Sequence, residues 1–593
     1  MNRAFYDNER EIDLTEQREI HRREKKVILA RTGIFIAAAL SFAAGVEGYG
    51  NGYIGGVILS LIFIRLVGYH DELKSRKKFL ISRLNVLNSY IVRARGTWRK
   101  RSTTGEIYLK EDRPQDIDLH VFGEGSIFQY ICAARTKRGR DRLAAALSPK
   151  PPKFAEVIRR QRGVAELLER PRLSLDLEAF ARLMPNNHDT TALIEAVEDP
   201  LPHTNKIFYL RFFPLPIFIL TCVLAYKDII SNFFPPLVLL ISLTIAFSML
   251  RQTSELLRPI QTFSKELKLY QAIFERLETT DFNSSTMRHI RDKLTDEVSA
   301  AQKLKMLSLL VEITNTRKNP AFYVLGNAFF LLDFFCATAF LSWRITASRH
   351  LKNWLDAWSE AEVLMSLASI GQTRETYCFP KLVDGDAPRI KAKGLKSLLI
   401  SDKKGVPNDV DLRAGTTIIT GANMSGKTTW IRTLAGAVLL AYAGAPVCAE
   451  SFKVSRMMIM TSIRVNDDIG QGMSTFYAEL LRIKNMIEYS KKKSPMLICI
   501  DEIFKGTNEA DRIVGAREAI KRLTNKWSIT FVTTHDFDLC DMTSANDVPI
   551  NNAHFEEYYE GDKIKFHFKL REGRCTTTNA KYLLRMAGIL EDE

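Results

Sequence analysis

The sequence predicts a multidomain chain. Two helical hairpins apolar enough for a membrane are joined to an all-α region and to a C-terminal α/β domain of the P-loop, ABC-like type. Three observations carry that prediction. The 593 residues exceed what one hydrophobic core accommodates. Four apolar stretches fall into two pairs, each closed by a short polar turn. Beyond about residue 376, short β-rich runs alternate with helical ones, and one of them leads into ITGANMSGKTTWIR at 419–432.

Composition sets outer limits. Hydrophobic residues make up 46% and charged residues 26%, so any membrane part is a minority of the chain. Lys and Arg number 84 against 68 Asp and Glu, a net charge of +16. That excess suits nucleic acid or the anionic inner face of a membrane, and does not choose between them. The eight cysteines form no CxxC pair, so no zinc site is expected, and reduced thiols in a cytosolic setting are. The highly charged residues 1–26 read as a cytoplasmic N-terminus and not as a signal peptide.

The first hairpin, 27–70, consists of TGIFIAAALSFAAGV (32–46), the Gly-rich turn EGYGNG (47–52) and YIGGVILSLIFIRLVGY (53–69). At about 1.5 Å per residue each arm is a little short for a ~30 Å hydrocarbon core. Arg31 and Arg65 lie towards one end and can snorkel there. The flanks RREKK (22–26) and KSRKK (74–78) are basic and the turn is not, which places both flanks in the cytoplasm. A basic linker follows at 71–113. The basic stretch 70–102, which begins at the hairpin's last residue, reads either as a juxtamembrane helix held to anionic lipid or as a phosphate-contacting arm for DNA.

Residues 114–200 read as helices. The second hairpin, 201–251, pairs FFPLPIFILTCVLAY (212–226) with FFPPLVLLISLTIAFSML (233–250), flanked by Lys206, Arg211 and Arg251. For both hairpins the competing reading is a buried helical hairpin of a soluble domain. From 252 to 375 apolar residues recur at helical spacing, broken by DFNSS at 281–285. The stretch 321–343 is long enough to span. Asp333 would then sit near the bilayer centre, and one extra crossing would carry the nucleotide loop to the wrong side. It is therefore read as part of a long core helix.

The chemistry lies in 376–593. Gly421, Ala422, Asn423, Met424, Ser425, Gly426, Lys427 and Thr428 fill the pattern GxxxxGK[ST]. In such a loop glycines let backbone N–H groups curl around phosphates, the lysine reaches the β- and γ-phosphates, and the threonine hydroxyl meets Mg²⁺. The helix from Thr429 adds its positive N-terminal end. ATP and Mg²⁺ are the cofactors this pattern implies. Downstream, the strand of MLICIDEIFKGTN (496–508) ends in two carboxylates. Asp501 is expected to hold Mg²⁺, partly through water, and Glu502 to orient or deprotonate the attacking water. A third strand, SITFVTTHD, leads to His535, which reads as a γ-phosphate sensor or as a structural histidine.

Taken together, TGANMSGKTT, DDIGQGMSTF, DEIFKGTN and TTHD, in this order and spacing, resemble the MutS family, the ATPases of DNA mismatch repair. The resemblance is strongest over 394–590. It extends to LHVFGEGSIFQYICAARTKRGRDRLAAAL (119–147) and VIRRQRGVAELLE (157–169), which look like the start of the family's helical core, with 252–372 as its lever helices. It implies a homodimer with a composite site in which Ser474 reaches the partner's γ-phosphate. It also implies roles for Asn423 and for VPNDVDL (406–412), which leads into the nucleotide site. The chain departs from the family where a mismatch-reading domain is expected. The two Phe-x-Glu matches, 122–124 and 555–557, lie inside other motifs. Gly405 stands where relatives often carry an apolar or aromatic residue near the adenine.

The expectation is a membrane-anchored, multi-pass ATPase, with its catalytic domain in the cytoplasm, that drives a dimeric clamp. One reading gives the clamp DNA to grip. A second makes it a nucleotide-switched membrane scaffold for protein or lipid. A third, an ABC-type transporter subunit, lacks an LSGGQ-like stretch.

Overall fold

The computed structural model describes residues 3–186, 188–198, 210–315, 317, 319–385, 387–464, 475–505, 508–560 and 563–575. They form two compact units. One comprises residues up to Ala133, Asp141–Leu175 and the chain from Val363 onward; the other comprises Ala134–Arg140 and Asp176–Glu362.

The first hairpin is built from two long helices, α1 (Arg3–Val46) and α2 (Asn51–Arg95). Both are long and apolar enough to cross a membrane. Small residues set their close approach near the turn. A Cβ on Gly52 would lie 2.4 Å from the backbone nitrogen of Gly45, and one on Gly56 would lie 2.8 Å from the Phe42 ring. The Ser41 hydroxyl donates to the Gly52 carbonyl at 2.8 Å. Outward-facing Phe35, Leu40, Ile54, Leu61 and Ile64 are exposed.

Beyond the apolar part, α2 continues as a helix to Arg95, so much of the basic stretch lies on α2 against α1. Its cations meet carboxylates there. Arg76 Nε lies 2.8 Å from Glu16, Lys77 Nζ 2.6 Å from Glu24, and the buried Arg83 pairs with Glu9 at 2.6 Å and with Asp13. Arg101 donates to the carbonyls of Gln129, Tyr130 and Cys132 at 2.6, 2.7 and 2.5 Å.

Short helices follow: α3 (Gln115–Asp118), α4 (Ile127–Ile131), α5 (Lys137–Ala146), α6 (Phe154–Glu169), α7 (Pro171–Arg182) and α8 (Thr191–Glu198). The second hairpin is α9 (Pro214–Tyr226) and α10 (Phe234–Ser248). Their 13 and 15 residues rise roughly 20 and 22 Å, less than a hydrocarbon core. Then come α11 (Leu250–Thr262), α12 (Ser264–Thr279), α13 (Ser285–Thr295) and α14 (Ala300–Asn315). The break expected at 281–285 is where Ser284 caps α13, its hydroxyl accepting from the Met287 amide at 3.2 Å.

The single core helix expected through 321–343 is corrected. The chain forms α15 (Pro320–Phe330), turns by 77° and resumes as α16 (Leu332–Thr373). Leu331 at the break has φ 46°. The turn is held by Asn327, whose backbone carbonyl accepts from Leu331 and whose Oδ1 accepts from the Asp333 amide, both at 3.1 Å. Asp333, the residue that argued against a span, is buried and paired with Arg317 at 3.1 Å. α15 packs on α9 and α10, with Phe329 edge-on to Phe218, while Phe322, Leu325 and Phe330 face outward. Counting each bent helix pair as one span, up to four segments among the described residues have the length and composition to cross a membrane.

Further along α16, Glu362 accepts the amides of Arg135 at 2.8 Å and Thr136 at 3.0 Å. A Cβ on Gly139 would fall 2.1 Å from its Oε2, so this position needs glycine. Burial pushes the Glu362 carboxyl up to about 7.

The C-terminal region begins with β1 (Lys381–Val383), β2 (Ile390–Leu395) and β3 (Asn408–Leu412). These join β5 (Ser451–Ser455) in a four-stranded sheet of order β1-β5-β2-β3. The larger sheet holds β4 (Gly415–Thr420), β6 (Met458–Ser462), β7 (Met496–Ile500), β8 (Ser528–Thr533), β9 (Ser544–Ala545), β10 (Val548–Glu560) and β11 (Lys563–Glu572). Its main path is β11-β10-β4-β8-β7-β6, with β10, β4, β8, β7 and β6 all parallel. Helices α17 (Lys427–Ala443), α18 (Thr475–Ser490) and α19 (Glu509–Leu523) accompany the sheet. Ile498, Ile500 and Val532 pack with Met486 of α18 and with Ile520 and Leu523 of α19. Completely apolar runs such as MLICI form strands here because both faces are covered.

Candidate nucleotide-binding site

The parallel order brings the C-terminal ends of β4, β7 and β8 side by side, and the candidate residues sit on those ends. After β4 the chain turns through Gly421 (φ 141°), Met424 (φ 67°) and Gly426 (φ 109°) into α17. A Cβ on Gly421 would lie 2.7 Å from the Phe555 carbonyl, so both conformation and space demand glycine. Lys427 is buried. Its ammonium folds back onto the carbonyls of Gly421 at 2.6 Å and Ala422 at 3.0 Å. Burial lowers its pKa, with Glu502 and Asp501 opposing.

β7 presents Asp501 and Glu502. Asp501 Oδ2 accepts from the Thr428 hydroxyl at 2.7 Å and Oδ1 from the Thr533 hydroxyl at 2.6 Å. Glu502 has φ 51°, and its amide donates to Thr533 Oγ1 at 2.8 Å. Its carboxylate meets His535 Nε2 at 3.4 Å and Lys505 Nζ at 2.5 Å. The His535 hydrogen bond, then Lys505, outweigh burial and hold the Glu502 carboxyl down at about 2. His535 Nε2 also lies 3.1 Å from Asn423 Oδ1. The structure thus gathers Asn423, Lys427, Thr428, Asp501, Glu502 and His535. Ser474 lies outside the described residues.

The cavity beside the loop has a volume of about 410 Å³. Ala422 to Thr429 form one wall, and Ile400, Gly405, Phe555 and Phe568 contribute to the rest. Gly405 therefore does face the site, but it is not alone there. Phe568 and Ile400 supply apolar surface that the sequence reading missed. Asn408, within VPNDVDL, fixes β11 and with it Phe568: its Nδ2 donates to the Phe568 carbonyl at 3.0 Å and its Oδ1 accepts from the Leu570 amide at 2.8 Å.

These residues fit a triphosphate and its metal. Ser425 Oγ is buried beside the loop without a hydrogen-bond partner among the described residues, the Lys427 ammonium needs only to leave two carbonyls, and Thr428 with Asp501 offers the oxygen donors that Mg²⁺ prefers. Thr533 was also missed. Its hydroxyl links the Asp501 carboxylate to the Glu502 backbone amide because β7 and β8 are neighbours in register, Ile500 opposite Val532, a pairing that no local signal carries.

Comparison with known proteins agrees with this geometry. Residues 417–591 match the family model described as MutS domain V. The C-terminal domain is thus similar to MutS domain V. A curated relative, the DNA mismatch repair protein MutS of Acetivibrio thermocellus, is 31% identical over 246 residues, covering 40% of this chain and 28% of the relative. The chain therefore spans well under half the length of that relative.

Outside the matched range, one buried residue ties the MutS-type domain to the helices before it. Asp118, at the end of α3, accepts from the Thr461 hydroxyl at 2.6 Å and from the amides of Ile463 at 3.1 Å and Arg464 at 2.9 Å. It also pairs with Arg482 of α18 at 3.2 Å, and its carbonyl accepts from Arg432 Nε of α17 at 2.8 Å.

Proposed function

We propose that this chain is a membrane-anchored ATPase of the MutS type, whose nucleotide cycle in a dimer drives a clamp. The observation that carries the reading is the convergence of Thr428, Asp501, Glu502 and His535 around the Lys427 loop. Mg²⁺ bound through Thr428 and Asp501 would neutralise phosphate charge. Lys427 would swing from its loop carbonyls to the β- and γ-phosphates, and Glu502 would position the attacking water. With its carboxyl held near 2, Glu502 stays ionised, and its oxygens become available only when His535 and Lys505 let go. Ser474 of a second copy would complete the site. The two hairpins are the proposed anchor, with the MutS-type domain on the cytoplasmic side.

DNA is the proposed partner of the clamp, supported by the family and by the +16 charge. A second reading, a nucleotide-switched scaffold for protein or lipid, is favoured by one observation: Arg76, Lys77 and Arg83 of the basic stretch already have carboxylate partners on α1. An electrophoretic shift with the detergent-purified chain separates the two. It compares paired, mismatched and four-way-junction DNA, with and without ATP, at two salt concentrations. ATP-sensitive, salt-dependent binding is expected of the DNA clamp. No binding at low salt leaves the scaffold.

A further inference from the structure

Behind the P-loop helix lies a second cavity, of about 300 Å³, that the ATPase reading does not use. It shares Thr429 and Thr433 of α17, and Ser397 and Ile400, with the nucleotide cavity, and its lining extends to Leu119, His120, Gly125 and Ile127. Three cations line it from three separate parts of the chain: Arg99, Lys396 after β2, and Arg432 of α17. Among the described residues no Asp or Glu lines the cavity, and none of these three cations has a carboxylate within 4.0 Å. The remaining wall mixes polar His120, Ser397, Thr429 and Thr433 with an apolar patch in which Leu119, Ile127 and Leu440 are buried.

We propose that this cavity is a second ligand site, for a small phosphate-bearing molecule with an apolar or planar body. Three cations without an ion-pair partner among the described residues leave a positive field in a partly closed space, which an anion seated between them would relieve, while Asp501 and Asp118 offset part of the charge of Arg432. The phosphate suits Arg99, Lys396 and Arg432; the body suits the Leu119, Ile127 and Leu440 wall. The volume falls in the range of small-ligand sites rather than macromolecular ones. His120, also on the wall, feels the same cations Arg432 and Arg99. Burial and the neighbouring Arg432, Arg464 and Arg99 hold its imidazole down to about 4, so the site keeps a neutral ring where a positive field already stands. Because α17 forms the wall between the cavities, an occupant would touch the helix that carries Lys427 and Thr428.

The test is calorimetric titration of the full chain in detergent, saturated with Mg²⁺ and a non-hydrolysable ATP analogue so that the first site is filled. Phenyl phosphate is the probe, and pyrophosphate the probe without an apolar body. Phenyl phosphate should bind, pyrophosphate more weakly, and the double variant Arg99→Glu, Lys396→Glu should weaken phenyl phosphate by tenfold or more. A second variant, Gly436→Leu, fills the cavity without removing charge, since its Cβ would already sit 3.4 Å from Ile127 Cδ1, and should also block binding. Phosphate release by both variants reports that they are folded. Absence of phenyl phosphate binding to the saturated wild type, or equal binding by wild type and both folded variants, would overturn the proposal.

Discussion

The hydroxyl of Thr428 donates a 2.7 Å hydrogen bond to Oδ2 of Asp501, joining the first turn of α17 to the end of β7 across 73 residues of sequence. This contact stands where a magnesium ion would be shared. Asp501→Asn keeps the shape and the hydrogen bond but removes the charge that a divalent cation needs. Mg²⁺-dependent ATP turnover should therefore fall by two orders of magnitude or more, while the thermal midpoint stays close to wild type. Phosphate release measured against Mg²⁺ concentration checks this, and a variant with unchanged Mg²⁺ response would remove Asp501 from the metal site.

Glu502→Gln should retain ATP binding and slow hydrolysis by roughly 10²–10⁴-fold, the usual worth of a positioned acid–base group. Single-turnover hydrolysis together with retention of labelled ATP separates the two effects. Near-normal turnover would reassign the catalytic role.

Glu479 on α18 sets a pH dependence. Its Oε1 accepts the Phe504 amide at 2.7 Å, and burial pushes its carboxyl up to about 7 from an ordinary 4.5. The folded state keeps this proton longer than the unfolded chain does. Its contribution is therefore fully present below about 4.5 and lost as pH rises through about 7. Thermal midpoints measured from pH 5 to 8 should fall less in Glu479→Gln than in wild type. Parallel curves would exclude Glu479 as the source.

The buried cluster of Arg83 with Glu9 and Asp13 should respond asymmetrically. Arg83→Met leaves Asp13 without its cation and Glu9 with Arg172 alone, and should destabilise the α1–α2 pair by about 3–5 kcal/mol. The triple change Arg83→Met, Glu9→Gln, Asp13→Asn should recover part of that loss. Denaturant melts of the three proteins measure it; equal stability of wild type and Arg83→Met would show the cluster to be inert.

For the anchor, single cysteines at Leu40, Leu61, Phe218 and Phe322 in a cysteine-free background should resist a membrane-impermeant maleimide in vesicles and react after detergent is added. Phe322 is the discriminating position, because it is exposed on the helix that turns back at Leu331. Ready labelling in vesicles would leave α15 outside the bilayer.

Much of this arrangement was legible in the sequence wherever the signal was local. TTIIT, MLICI and SITFVT announce strands because they are short, apolar and bounded by turn residues, and the P-loop announces itself through its glycines. Other features rest on distance. Nothing near Arg83 reveals that its partners lie about 70 residues earlier, and nothing near Thr533 reveals that it will bridge Asp501 and Glu502. The break at Leu331 has no proline, and its glycine, Gly326, lies five residues earlier, packed against Leu332. It is specified by Asn327 and the buried Asp333–Arg317 pair, so periodicity alone ran straight through it.

Asp118 has a thermodynamic consequence. Its carboxylate is bonded to Thr461, Ile463 and Arg464, the residues that lead directly into 465–474, and its carbonyl holds Arg432 on the P-loop helix. Any free energy by which nucleotide alters those bonds must be returned in full when something upstream alters them first. Whatever loads the helices around α3 would then act as an effector of nucleotide affinity, and Asp118 would be the point where the two equilibria exchange their bias.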